Sequence, residues 1–501
     1  MSDTGKETIQ ISALMESSGV KFGTSGARGL ADDMTDMVCY AYTMAFLQYL
    51  LESKQITTGD AVAIAGDYRP SSPRIMAAVA KAVVAVGCEP TNCGFIPTPA
   101  VACYAMKRNQ ASIMVTGSHI PDDRNGIKFY KPAGEILKAD EQLMCSRSIE
   151  IGEGLFDSLG SALIASLPAE QPDAYSEFVQ RYLNFFPADC LNGYKIGVYE
   201  HSSVARDILA EVIEGLGAEV VRLNRSKKFI PVDTEAIRPE DVALALEWSQ
   251  DFKLDSIVSA DGDGDRPLVS DENGEWLRGD VAGILCAHYL GARSVATPVS
   301  CNSAVEKSGW FEQIERTRIG SPFVIAAMDA LVANGSENVV GYEANGGFLT
   351  ATDISLDGRS LTALPTRDAV IVPLAILMLA KSFNGSSISE LLKQLPQRFT
   401  SSDRLKNFPT ELSQQRLKPL TGENIDSNRH EAEAILGDLF GDVTAIDNTD
   451  GVRITFRSGE VAHLRPSGNA PELRCYNEAD SEERAVEMNK TCLEILESWR
   501  E

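Results

Sequence analysis

Short apolar runs and longer stretches of helical spacing take turns along most of this chain. Ala61-Val62-Ala63-Ile64-Ala65 reads as a buried strand, residues 71–86 as a helix stopped by Gly87, and residues 112–116 as the next strand. The succession returns at Lys195–Tyr199, Ala205–Leu216 and Ala218–Arg222, and again at Asn338–Tyr342 followed by Ala369–Lys381. Strand–helix–strand units near 61–116, 195–260 and 294–342 predict three related α/β domains with mostly parallel or mixed sheets. The tail departs from this rhythm. Asp450–Phe456 and Glu460–Arg465 read as paired strands joined by Arg457-Ser458-Gly459, and Glu482–Trp499 as a closing helix with Val486, Cys492, Leu493, Leu496 and Trp499 near one stripe. An α+β fourth domain is expected there, with the polar stretch 401–429 as a hinge and insertion.

Length agrees with this division, since 501 residues exceed what one core can organise. A net charge of −25 argues against a nucleic-acid or anionic-membrane surface, which needs clustered Lys and Arg. It leaves room for a local basic pocket that takes a small phosphorylated substrate. Residues 1–20 lack the apolar segment of a signal peptide. The apolar stretches Met37–Leu51 and Ala369–Ala380 are too short to span a bilayer and read as buried helices. The ten cysteines are scattered without a CxxC, so neither a disulfide framework nor a zinc ribbon is expected. A cytoplasmic location is the expectation.

Two runs carry the chemistry. Thr116-Gly117-Ser118-His119 places a serine on a loop directly after the apolar run 111–115, where its hydroxyl can project into a cleft. Asp261-Gly262-Asp263-Gly264-Asp265-Arg266 sets three carboxylates at alternate positions at the end of an apolar strand. Without a cation those carboxylates repel one another, and the glycines let them converge on an oxygen-seeking ion, Mg²⁺ above all. An EF-hand is excluded because Arg266 stands where that loop requires glycine. A hydroxyl nucleophile beside a cation site is what phosphoryl transfer needs. Read alone, Ser118 serves equally as a turn or helix-capping serine, and the aspartates as a solvated turn.

Weaker signals join these. Lys128 can neutralise phosphate or move a proton, or simply sit solvated on a strand. Arg266 is placed to bridge the ion and a phosphate. Glu343 and Asn345, in a glycine-rich loop after a strand, can hold neighbouring sugar hydroxyls. Arg465, Ser467, Gly468 and Asn469 offer a guanidinium fork, a hydroxyl, a backbone N–H and an amide, although such a run is as often an ordinary loop. The basic, hydroxyl-rich loops 21–29 and 66–72 resemble it.

Together, residues 21–29, 66–72, 116–129, 261–267, 341–347 and 465–476 resemble, in order, the signatures of the α-D-phosphohexomutases. The resemblance implies three mixed-sheet α/β domains and a C-terminal α+β domain around a central cleft, here divided at 1–168, 169–276, 277–396 and 397–501. It implies a resting phosphoserine at Ser118 and Mg²⁺ held by Ser118, Asp261, Asp263 and Asp265. It further implies a sugar-reading loop at Glu343–Asn345 and a grip at Arg465–Asn469 on the phosphate not being transferred. Arg28, Lys128 and His119 become catalytic candidates, the first two for proton handling, and Arg266 would spread transition-state charge. The expected reaction interconverts hexose 6-phosphate and hexose 1-phosphate through a bound 1,6-bisphosphate, in a monomer or weak homodimer. Where the family commonly has other residues, this chain carries Ile120, Asn345, Gly347, Asn469 and Ala470. Gly347 replaces a histidine proposed in the family for proton transfer. These departures bear on the sugar, for which the TGSH loop points to mannose phosphate rather than glucosamine phosphate. Glucose or glucosamine phosphate remain alternatives, as do a non-catalytic sugar-phosphate binder and a serine phosphatase.

Overall fold

The computed structural model describes residues 6–23, 26–162, 166–383, 387–467 and 471–500. The first α/β unit contains β1 (Ala61–Gly66), β2 (Glu89–Asn92), β3 (Ala111–Val115) and β4 (Arg124–Lys131). β1 pairs in parallel with β2 on one side and β3 on the other, and β4 returns antiparallel to β3. The second unit repeats the plan with β5 (Lys195–His201), β6 (Glu219–Arg225), β7 (Ser256–Ala260) and β8 (Pro267–Val269). The third repeats it with β9 (Ser294–Pro298), β10 (Gln313–Thr317), β11 (Val339–Tyr342) and β12 (Phe348–Thr350). Among these four strands the order in all three units is second, first, third, fourth, with only the fourth antiparallel; the first sheet continues past β4 to Ala27–Leu30, also antiparallel. The central strands are fully buried, which is why they read as continuous apolar runs rather than as alternation.

Most expected elements are found within a residue or two of their forecast ends, while β6 runs three residues past the forecast Arg222. Residues 71–86 form α1 (Ser72–Ala85), residues 205–216 form α2 (Arg206–Gly215), and 369–381 form α3 (Ile371–Ser382). The closing helix is α4 (Glu482–Ser498), opened by the Ser481 side chain capping the Arg484 N–H. Among the described residues no helix is long and apolar enough to cross a membrane.

The C-terminal unit is an antiparallel sheet in the order β13 (Phe399–Lys406), β17 (Glu472–Ala479), β16 (Val461–Pro466), β15 (Val452–Phe456), β14 (Val443–Asp447). β13 corrects the expectation of a hinge and insertion over 401–429. Its residues pair along the whole of β17, and helices Thr410–Leu417 and Ile425–Phe440 follow it. As an edge strand it leaves most of its side chains partly or fully in solvent, so its composition is that of a loop.

One hydrophobic cluster runs from Ala63 to Leu395 through all three α/β units, whereas the C-terminal sheet and its helices close a cluster of their own. The C-terminal unit joins the third mainly through polar contacts. Glu478 accepts from Arg398 Nε (2.6 Å) and the Ser303 N–H (3.1 Å), and Asp450 Oδ2 accepts from the Ile319 N–H (3.0 Å).

Candidate active site

The site is assembled from one recurring turn. In each α/β unit the loop from the third strand to the antiparallel fourth holds the residues singled out above: 116–123 in the first, 261–266 in the second, 343–347 in the third. Each loop contains one left-handed residue, namely Ser118 (φ 57°), Gly264 (φ 69°) and Gly346 (φ 86°). A non-glycine residue there is sparsely populated and needs its neighbours to hold it. For Ser118 they do. Its N–H donates to Thr116 Oγ1 (2.7 Å), which in turn donates to Asp67 Oδ2 (2.7 Å). Its carbonyl accepts from Arg69 (3.0 Å), whose guanidinium also pairs with Asp67 and lies 4.0 Å from the Phe229 ring centroid. A Cβ on Gly262 would stand 2.7 Å from the Ser118 carbonyl oxygen, so only glycine lets the two loops touch.

That contact brings the Ser118 hydroxyl and the carboxylates together. Ser118 Oγ donates to Asp261 Oδ2 at 2.6 Å, and ligand atoms of Asp261, Asp263 and Asp265 all lie within 4.8 Å of one another. All three aspartates are fully buried. Lys128, on β4, sets Nζ 2.6 Å from Asp263 Oδ2 and 2.5 Å from Asp265 Oδ2. Thr98 also donates to Asp263 Oδ2, at 2.5 Å. Asp263 Oδ1 and Asp265 Oδ1 are buried without a hydrogen-bond partner. Orphaned carboxylate oxygens beside a third carboxylate fit a hard divalent cation, because such groups are costly to bury otherwise. The electrostatics agree. Burial, with Asp263 and Asp265 adding to it, pushes the Asp261 carboxyl well above its usual range. Burial works the same way on Asp263, yet Lys128 and Thr98 hold it below, and Arg367 above all does so for Asp265.

Ser118 itself has no solvent exposure, against the expectation of an open loop serine. The aspartate loop covers it, and His119, whose Nδ1 lies 3.4 Å from Ser118 Oγ, is the neighbour that lines the adjoining cleft. Burial, Arg266 and Arg28 push His119 down to about 2, so its ring stays neutral. Arg28 lies opposite Gly126 of β4; burial and Arg266 push its guanidinium down to about 10.

The cleft has a volume of about 380 Å³. His119 and Arg266 line one wall, and Arg404, Lys406, Arg474 and Tyr476 the facing sheet. Strand register explains that second wall. Arg404 of β13 lies opposite Arg474 of β17, which lies opposite Arg465 of β16, giving three arginines abreast. Arg465 turns to Asp450 (2.9 Å), and the Ser467 N–H donates to the Glu472 carbonyl (2.8 Å). Gly468 and Asn469 lie outside the described residues.

Four family descriptions match in succession: phosphoglucomutase/phosphomannomutase α/β/α domains I (19–152), II (173–274) and III (278–399), and the C-terminal domain (420–494). The chain belongs to the phosphoglucomutase/phosphomannomutase family. It is 44% identical over 491 residues to a phosphomannomutase of Salmonella muenchen, covering 97% of each chain. It is 43% identical to a phosphomannomutase of Sinorhizobium fredii, over 96% of this chain and 99% of that one. A phosphoglucomutase/phosphomannomutase family protein of Burkholderia thailandensis shares the fold at a TM-score of 0.71 and 18% identity, over 95% of this chain and 97% of that one.

The third loop turns its side chains inward. Glu343 is buried, does not line the cleft, and pairs with Arg367 (3.2 Å), which also sits 3.0 Å from Asp265 Oδ2. Asn345 Oδ1 caps the Gly347 N–H (2.9 Å). Gly347 has a reason too: a Cβ there would stand 2.3 Å from Arg367 Cδ, so the arginine occupies the space any side chain at 347 would enter. Burial opposes the Arg367 charge, but Asp265 and Glu343 raise its pKa well above the ordinary arginine range. Arg367 was missed by sequence reasoning. Its one signal is the charged pair Arg367-Asp368 immediately before an apolar helix.

Proposed function

We propose that this protein is a phosphohexomutase that interconverts mannose 6-phosphate and mannose 1-phosphate through a phosphorylated Ser118 and a bound 1,6-bisphosphate. The observation that carries this reading is the 2.6 Å contact between Ser118 Oγ and a carboxylate of a buried triad beside a two-walled cationic cleft. Asp261, Asp263 and Asp265, with the phosphoserine oxygen, would hold Mg²⁺, which would supply charge neutralisation at the transferring group. Movement of the domains opens a path past His119. The serine O–P bond breaks as the free sugar hydroxyl forms its own, and the hydroxyl proton ends on the freed Ser118 Oγ; Lys128 and Arg28, the proton-handling candidates, are cations at rest and relay it only by giving up a proton of their own. The bisphosphate then reorients, and its other phosphate returns to Ser118. Arg266 spreads charge on the transferring phosphoryl, while Arg465 and its strand neighbours hold the other phosphate. Closing the cleft excludes water and keeps hydrolysis slow. The enzyme works in the cytoplasm as a monomer or weak homodimer.

A coupled assay for mannose 1-phosphate formation tests the reading. Ser118→Ala is expected to lower turnover by more than about 10³-fold and to remove a mass of about 80 daltons from the resting protein. Full turnover in that variant, or stoichiometric release of inorganic phosphate by the parent, would sink it. Parallel rates on mannose, glucose and glucosamine phosphates establish the preferred hexose.

A further inference from the structure

The cleft carries cations on two walls and carboxylates as well. Arg266 and Arg474, on opposite walls, each have a buried Nε without a hydrogen-bond partner. Asp233 and Glu235, from the segment joining β6 to the helix Pro239–Phe252, line the same cavity. Glu235 is exposed at the rim of the cavity, and among the described residues its carboxylate has no hydrogen bond or ion pair, even with these arginines lining the same space. A carboxylate left unpaired in a cleft for phosphates repels those phosphates unless another part of the ligand uses it.

The segment is held firmly. Phe229 packs on Arg69 beneath the Ser118 loop, the Thr234 hydroxyl donates to the Asn345 carbonyl at 2.7 Å, and Asp233 Oδ1 accepts from the Glu235 N–H at 3.0 Å. With a phosphate at each cationic wall, the part of a hexose bisphosphate left to face Asp233 and Glu235 is the hydroxyl-bearing ring.

We infer that Asp233 and Glu235 determine sugar specificity by accepting hydrogen bonds from ring hydroxyls, and that Asn345 positions them through Thr234. The inference rests on the mutase reading above. An ionised carboxylate accepts hydrogen bonds only, so it favours the epimer whose hydroxyl points at it.

Glu235→Gln and Asp233→Asn, compared with the parent on mannose 6-phosphate and glucose 6-phosphate, test it, with inorganic phosphate as competitive inhibitor. Losing a charge-assisted hydroxyl contact is expected to lower kcat/KM on mannose 6-phosphate by about 10–100-fold. The mannose-to-glucose preference should shift severalfold while inhibition by inorganic phosphate stays unchanged. Thr234→Val should shift the preference in the same direction and to a smaller extent, and it keeps the test open if a carboxylate variant folds poorly. Tighter inhibition by phosphate with an unchanged preference would overturn the inference, since the carboxylates would then be only counter-ions to the arginines. A parent inactive on every hexose phosphate would instead overturn the mutase reading, and this inference with it.

Discussion

Ser118 shows how much a single side chain depends on residues far away in sequence. Its backbone is held by Asp67, Arg69 and Thr116, its hydroxyl by Asp261, and its closest neighbouring loop by Gly262. Serine and aspartates were legible because each group sits within a few consecutive residues. Arg367 was not, because its meaning lies in contacts to Asp265 and Glu343 that no local spacing announces. The orphaned oxygens of Asp263 and Asp265 lead to a prediction at this scale. Adding Mg²⁺ to chelator-treated protein should raise its Tm, with about 2.7 kcal/mol of stabilisation at a hundredfold excess over Kd. Asp263→Asn should lose most of that Mg²⁺-dependent rise in calorimetry. An equal rise in the variant would show that the ion binds elsewhere.

At the level of elements, buried central strands announced themselves by apolar continuity, and the helices by their spacing and stops. The edge strand β13 did not, since solvent replaces a second neighbour along most of its length. Its register is nonetheless what places Arg404 beside Arg474 and Arg465. Like charges directly opposite one another weaken a sheet; Glu472, 3.4 Å from both Arg404 and Arg474, and Asp450 on Arg465 offset part of that cost, and an anion over the row would offset the rest. Arg474→Ala should therefore lower kcat/KM for the hexose phosphate by about 10–100-fold, the worth of a charge-assisted contact. It should also weaken competitive inhibition by inorganic phosphate, with fold retained by circular dichroism. Unchanged inhibition would remove Arg474 from the phosphate grip.

Across the whole molecule, the three α/β units share one apolar cluster, and charge pairs stitch its surface. Glu177 of the second unit meets Arg108 (2.5 Å) and Lys107 (3.0 Å) of the first. The Arg108 hydrogen bond, with Lys107 adding to it, lowers the Glu177 carboxyl from 4.5 to about 2. A depressed folded pKa stabilises the protein above the unfolded value, and that stability is lost as pH falls through the folded one. Glu177→Gln should thus cost about 1 kcal/mol at neutral pH, solvent screening included. The gap between variant and parent should narrow from about pH 4.5 downward, as thermal melts across that range will read. A gap independent of pH would mean the pair acts by packing alone.

The repeated strand order has a wider reach than stability. Nucleophile, cation cage and the loop behind the sugar segment all occupy the same hairpin of three like-built sheets. Rewriting any one of these hairpins leaves the strands beneath it untouched. A scaffold of this kind can therefore keep its chemistry on the hairpins and drift from one hexose to another by exchanging residues of the segment that carries Asp233 and Glu235, with its architecture inherited intact.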